Sequence, residues 1–292
     1  MTVRQGRGVL CAVLAAAFYA LNAPLSKLLL GRVAPAMMAA FLYLGAGLGM
    51  CLWLLVTRKS RARTEQPLTR RDLPYTVGMI VLDVAAPIAL MTGVARTSAA
   101  SASLLNNFEI VATSLIALIL FKEAISKRLW LGIFLVTLSS VLLSAQDIRA
   151  VSLSAGSLYV LLACVCWGFE NNCTRRLSEK DPMEIVAVKG IFSGLGALIV
   201  AFVCGAALPD ALSIVLALLL GFVAYGLSIL FYIYAQRSLG AAKTSAYYAV
   251  APFIGVALSL ALFREIPSGW FIAALIVMIA GTWCVTTAES PA

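Results

Sequence analysis

The sequence predicts an all-α, polytopic membrane protein whose ten transmembrane helices form two inverted five-helix repeats. Three observations predict it. Of 292 residues, 62% are hydrophobic and only 12% are charged, and the mean hydropathy of +0.98 is more than a water-solvated surface sustains. Apolar runs of about 20 residues, the length that crosses a hydrocarbon core, recur ten times. The pattern of residues 1–148 then returns, in altered form, over residues 149–292.

The first span, about 8–30, starts behind Arg4 and Arg7 and holds Tyr19, Asn22 and Pro24. Its basic start imitates a secretory leader, but no convincing small-x-small cleavage site follows the apolar core and the segment recurs later, so it is expected to remain as a helix. The second, about 35–57, opens on Pro35, where a missing N–H costs little, and carries Gly45, Gly47 and Gly49. The third, about 73–94, has Pro74 near its start and buries Asp83 and Pro87. The fourth, about 98–121, contains Asn106, Asn107 and Glu109 and closes on Phe121-Lys122-Glu123. The fifth, about 127–146, has Trp130 near its start, and the sixth, about 154–176, has Trp167 and Glu170. The seventh, about 182–204, opens on Pro182 and carries Lys189, Gly190 and Gly194. The eighth, about 210–235, holds Tyr225, and the ninth, about 242–263, holds Tyr248 and Pro252 before Phe263-Arg264-Glu265. Pro267 and Trp270 open the tenth, about 267–288.

Phe121-Lys122-Glu123 and Phe263-Arg264-Glu265 stand 142 residues apart, each followed by a polar turn, a Trp and another span. The same offset matches Ala99, Ala100 and Ser103 to Ala241, Ala242 and Ser245. At an offset of 148, Tyr19 falls opposite Trp167, Asn22 opposite Glu170 and Lys27 opposite Arg175. Five spans per half is odd, so the halves must cross the bilayer in opposite senses, a recurring design of transporters that open one site to alternate sides. Glycine pairs Gly45/Gly49 and Gly190/Gly194 follow the small-xxx-small spacing of close helix packing.

With a cytoplasmic N-terminus, sixteen of the 22 Lys and Arg lie inside, five (Lys27, Arg32, Arg96, Arg149, Arg264) lie outside and Lys189 is intramembrane. The positive-inside rule predicts that bias, with both termini cytoplasmic and the chain in the inner (plasma) membrane. Topology thus accounts for the net charge of +9, and no nucleic-acid partner is expected. Without histidine, imidazole metal sites and His-based triads are excluded, and neither a phosphate-binding loop nor a catalytic motif is present. The seven cysteines lie in apolar runs and read as buried small hydrophobes. No cofactor and no metal are expected, and the protein is expected to work as a monomer among membrane lipids on a small-molecule substrate. A channel is the nearest rival and an intramembrane enzyme a remote one.

The paired small residues, the glutamates Glu123 and Glu265, and Trp167-Gly168 with its degenerate counterpart Tyr19-Ala20 resemble the EamA-type ten-helix members of the drug/metabolite transporter superfamily, over the whole chain. Within it the overall pattern is most similar to the YddG-type exporters of aromatic amino acids. The resemblance implies a central cavity between the repeats and movement of amino acids out of the cytoplasm; cationic drugs or other metabolites are the alternative cargo. The family's proline in the fourth helix of a repeat is matched by Pro252, but Ile110 stands at the first-half position, which argues against a matching kink there.

Ionisable groups within a span cost about 2.5–3.5 kcal/mol on insertion scales, so they face a cavity or a partner. Glu170 and Lys189 sit at similar depth and can pair structurally, whereas Asp83 and Glu109 lack a depth-matched base and are expected to face a cavity. An amino-acid ammonium needs an anion or aromatic face, and its carboxylate a donor. Asp83 suits the first and Asn22, Asn106 or Asn107 the second. Asp83 and Glu109 are also the proton-coupling candidates. Trp53, Trp130, Trp270 and Trp283 near span ends read as an interfacial belt. Tyr19, Trp167, Tyr225 and Tyr248 lie deeper, as cavity lining or as ordinary helix packing. Substrate contacts are expected where the halves diverge: Asn22 against Glu170, Tyr19 against Trp167, Asp83 against Tyr225, and Asn106 against Tyr248. Pro24, Pro87 and Pro252 are the hinge candidates.

Overall fold

The computed structural model describes residues 3–61, 66–121, 126–147, 152–177, 180–239, 244, 247–264 and 266–287. They form α1 (Val3–Ala20), α2 (Asn22–Leu29), α3 (Pro35–Arg61), α4 (Leu73–Arg96), α5 (Ala99–Leu105), α6 (Phe108–Phe121) and α7 (Lys127–Ser144). Then follow α8 (Ala155–Leu177), α9 (Pro182–Val203), α10 (Ala211–Gly221), α11 (Ser228–Leu239), α12 (Ala251–Phe263) and α13 (Gly269–Thr286). A π-helical turn, Phe222–Leu227, joins α10 to α11. A short antiparallel ribbon of Ala145–Asp147 with Ser152–Leu153 departs from the all-α expectation. Glu123, Glu265 and the expected boundary at residues 148 and 149 lie outside the described residues.

Local chemistry sets the helix starts. Pro35 and Pro182 stand at first positions, and Pro74 within the first turn of α4, where the helix asks for no N–H. Side chains of Ser98, Asp181, Asp210 and Ser268 accept from Ser101, Met183, Ser213 and Phe271 N–H groups at the starts of α5, α9, α10 and α13. At the far end of α4, Lys27 Nζ donates to the carbonyls of Val94 (2.6 Å), Ala95 (3.1 Å) and Thr97 (2.6 Å), placing a cation on a helix C-terminus.

Three of the predicted spans are broken inside the bundle. The first breaks at Leu21, the fourth at Asn106–Asn107 and the ninth at Ala249–Val250. Pro24 cannot donate to the carbonyl of Ala20, nor Pro252 to that of Tyr248, which accounts for two of the breaks. The fourth corrects the expectation drawn from Ile110. There the Asn107 amide turns back on the Leu104 carbonyl (3.4 Å), a side chain competing with the helix for its own backbone. Pro87, by contrast, lies within the uninterrupted α4.

Close backbone approach organises the bundle. A methyl at Gly190 would collide with the backbone of Gly47, and one at Gly45 with the carbonyl of Leu218, so α3 lies against both α9 and α10 through missing side chains. Helix pairing reads the same from either end of the chain: α4 packs on α8 as α11 packs on α1, α6 on α8 as α12 on α1, while α3 meets α9, α5 meets α12 and α7 meets α13. Large apolar side chains such as Val56, Leu55, Ile119 and Val203 face outward. Among the described residues, six helical stretches can cross a membrane by length and composition: Gly6–Leu29, Pro35–Val56, Arg70–Arg96, Pro182–Val203, Ala211–Ala235 and Gly269–Thr286. The other four predicted spans hold α5 with α6, α7, α8 and α12. All seven cysteines are free thiols, but only Cys164 is buried and Cys204 is exposed at the end of α9, so the expectation of seven buried cysteines is corrected.

Candidate functional site

Asp83 on α4, Glu170 on α8 and Lys189 on α9 converge. The ammonium of Lys189 lies 2.9 Å from Asp83 Oδ2 and 2.9 Å from Glu170 Oε1, with all three side chains buried. The expected Glu170–Lys189 pair is therefore present, but Asp83 shares its cation, against the expectation that it lacked a base. Depth counted along the chain misled: Asp83 is three residues further into its span than Lys189 into its own, about 4.5 Å of helix rise, which the four-carbon stem of a lysine spans. Asp83 Oδ1 accepts from the Tyr43 hydroxyl (2.8 Å) and the Trp167 indole N–H (3.2 Å), while the Thr174 hydroxyl donates to Glu170. Every charge in the cluster is thus paired and hydrogen-bonded, as burial requires.

Tyr43 links this cluster to an aromatic one. Its ring centroid is 5.0 Å from that of Tyr225, which meets Tyr19 edge-on at 6.0 Å; Tyr19 lies 5.9 Å from Tyr248, and Tyr248 lies 4.9 Å from Tyr232. Asn22, first residue after the break in the first span, donates to the Tyr225 hydroxyl (3.0 Å) and accepts from Ser26 (3.1 Å). Tyr225 sits in the π-helical turn, where one residue too many per turn re-aims a side chain inward. All eight expected contact residues therefore belong to one continuous set: Asp83, Trp167 and Glu170 at one end, Tyr19, Asn22, Tyr225 and Tyr248 at the other, and Asn106 beside Tyr19.

Glu109 stands apart from the ion cluster. It lies in the first turn of α6, half-buried, and accepts from Asn171 Nδ2 (2.8 Å), which also reaches Thr113 (3.3 Å). Its backbone N–H donates to the Asn106 carbonyl (3.1 Å), which sets it one turn beyond the break in the fourth span. Among the described residues no salt bridge reaches Glu109, whereas Asp83, expected to lack a base, is paired with Lys189. Between Tyr19, Ser103, Asn106, Pro252 and Gly255 a crevice of about 10 Å³ remains, room for one water.

Sequence reasoning missed Tyr43, Tyr232, Lys189 as the shared partner of Asp83, and Asn171. Tyr43 carried no signal of its own, since a tyrosine in an apolar run reads as packing. Lys189 did carry one: a lysine in mid-span demands every anion within reach of its stem.

The family model of EamA-like transporters matches residues 6–145 and again residues 154–287. A protein of Methanothermobacter thermautotrophicus described as an uncharacterized transporter is 25% identical over 285 residues, covering 90% of this chain and 81% of its own length. The uncharacterized transporter YyaM of Bacillus subtilis is 23% identical over 266 residues, 87% of this chain and 86% of its own. A crystal structure at 16% identity superposes with a TM-score of 0.69 over 97% of this chain and 98% of that one, a likeness of fold.

Proposed function

The chain belongs to the EamA-like transporter family and is a multi-pass membrane transporter rather than an enzyme, and from this we propose that it is a secondary exporter of amino acids, aromatic ones above all, working by alternating access. The observation that carries the reading is a row of tyrosines, Tyr225, Tyr19 and Tyr248, together with Glu109, one turn beyond Asn106, a carboxylate with no salt bridge among the described residues. Tyrosine faces suit a flat side chain and also attract an ammonium. Glu109 takes over the ammonium-binding role expected of Asp83, whose charge is already spent on Lys189. Asn22, Asn106 and Asn107 supply amide donors for the substrate carboxylate. The resemblance to YddG-type exporters supports the same cargo and direction.

Ten spans in two inverted repeats, 1–148 and 149–292, supply the machinery. The double match of one family model and the helix pairing that reads alike from either half support that division. A cavity able to hold an amino acid, about 300 Å³ or more, has to open where the crevice now leaves room for one water. The breaks next to Pro24 and Pro252, and Pro87 within α4, are where the helices can bend to open it. With no phosphate-binding loop in the sequence, a gradient must supply the energy. Glu109, half-buried, is the better placed of the two proton-coupling candidates. Inner-membrane placement with both termini cytoplasmic follows from the distribution of basic residues.

Proteoliposomes containing the purified protein test this with labelled tryptophan, tyrosine and phenylalanine against a panel of organic cations. Saturable flux of the aromatic amino acids is expected, reduced about tenfold or more by Glu109→Gln. Flux of organic cations with none of amino acids moves the assignment to a cation exporter. Proton coupling fails if Glu109→Gln and Asp83→Asn proteins keep the wild-type pH dependence.

A further inference from the structure

The crevice beside Tyr19 is lined by Ala20, Ala23, Ser103, Asn106, Ala251, Pro252 and Gly255, contributed by all three broken spans or their ends. Ser103 is 3% exposed and Asn106 7%, yet among the described residues Ser103 Oγ and Asn106 Oδ1 have no hydrogen-bond partner. Two such atoms at one place are costly unless something binds them. A third oxygen is near. A methyl built on Gly255 would come within 2.8 Å of Ser103 Oγ and 3.3 Å of the Ala20 carbonyl oxygen, so both lie beside Gly255 and the missing side chain keeps the space open. Pro24 deprives that carbonyl of its i+4 donor.

The electrostatics favour a positive occupant. Ala20 ends α1 and Asn106 follows the end of α5, so the carbonyl ends of two helices border the crevice, as does the first turn of α2, where Pro24 removes one N–H. The opposing N-terminus of α12 has lost one donor at Pro252. Oxygen ligands with no sulfur or nitrogen suit a hard cation, and a lining without carboxylate lacks the charge to strip a divalent ion of its water. Space for one water fits Na⁺ better than the larger K⁺. We propose that Ser103, Asn106 and the Ala20 carbonyl form a Na⁺ site at the meeting of the three helix breaks, so that Na⁺ occupancy holds those breaks in the arrangement seen here. Discontinuous helices with carbonyls turned to an ion are an established means of coupling ion binding to helix movement.

The test is equilibrium binding of radiolabelled Na⁺ to the purified protein in choline chloride of constant ionic strength, with no amino acid present. Saturable binding is expected, weakened about tenfold or more by Ser103→Ala or Gly255→Ala, outcompeted poorly by K⁺, and retained or tightened in Asn106→Asp, which adds a charge to the same oxygen. Binding no greater than in a protein-free control, binding untouched by both weakening variants, or weaker binding in Asn106→Asp overturns the proposal and leaves the crevice to water. Because amino-acid flux is not the readout, a protein that binds Na⁺ but moves no amino acid refutes only the cargo assignment.

Discussion

Lys189 is the residue on which the buried electrostatics turn. One ammonium lies between two carboxylates from two other helices, 2.9 Å from each, so removing it leaves two anions facing one another without water. Lys189→Met is expected to destabilise the protein by about 3–5 kcal/mol, the cost of breaking a buried ion pair. Thermal unfolding in detergent measures it. Adding Asp83→Asn and Glu170→Gln should restore much of the loss, and failure of the triple variant to recover would show that the lysine acts by packing and not by charge. The charges themselves were legible in the sequence, as was the Glu170–Lys189 pairing. Asp83 was misassigned because depth along a helix is known to about one turn, whereas a lysine reaches further than that.

At the scale of the element, the sequence announces its helices through proline and capping side chains, and conceals its breaks. Pro24 and Pro252 mark two of them. The third, at Asn106–Asn107, rests on an asparagine amide bonding back to the Leu104 carbonyl, an option open to any asparagine and therefore weak as a signal. Glycine spacing was the more dependable guide. Gly190 meets the backbone of Gly47 with no space for a methyl, while Gly6 and Gly269 meet nothing within 4 Å. Gly190→Ala is expected to lower the unfolding temperature sharply, with a cost of the order of 1–3 kcal/mol for overpacking, and Gly269→Ala to leave it nearly unchanged. Equal shifts in the two variants would remove the close approach of α3 and α9 from the account of stability.

Considered whole, the molecule presents large apolar side chains outward and buries Asp83, Glu170 and Lys189 with Tyr43 and Tyr225, the arrangement a lipid solvent demands. The proposed topology is open to a direct check. Alkaline phosphatase fused after residue 287 should be inactive, and fused after residue 206, between α9 and α10, active, since only the second point is predicted to be exported. The opposite pair of results would invert the orientation argued from the basic residues.

Composition and apolar length by themselves determined that this chain lives in a membrane as helices, because the cost of an unsatisfied peptide group in hydrocarbon leaves almost no other choice. Repetition along the chain likewise showed which positions diverge between the halves, and those eight positions do lie in one connected set. Only the tertiary structure decided how they are joined: that Tyr43 couples the tyrosines to the ion cluster, that Asp83 shares Lys189 while Glu109 is held by Asn171, and that three helix breaks meet at Ser103 and Asn106. Burial follows from local composition, but partnership depends on a few ångströms of reach between distant segments, and that distance is written in no single stretch of sequence.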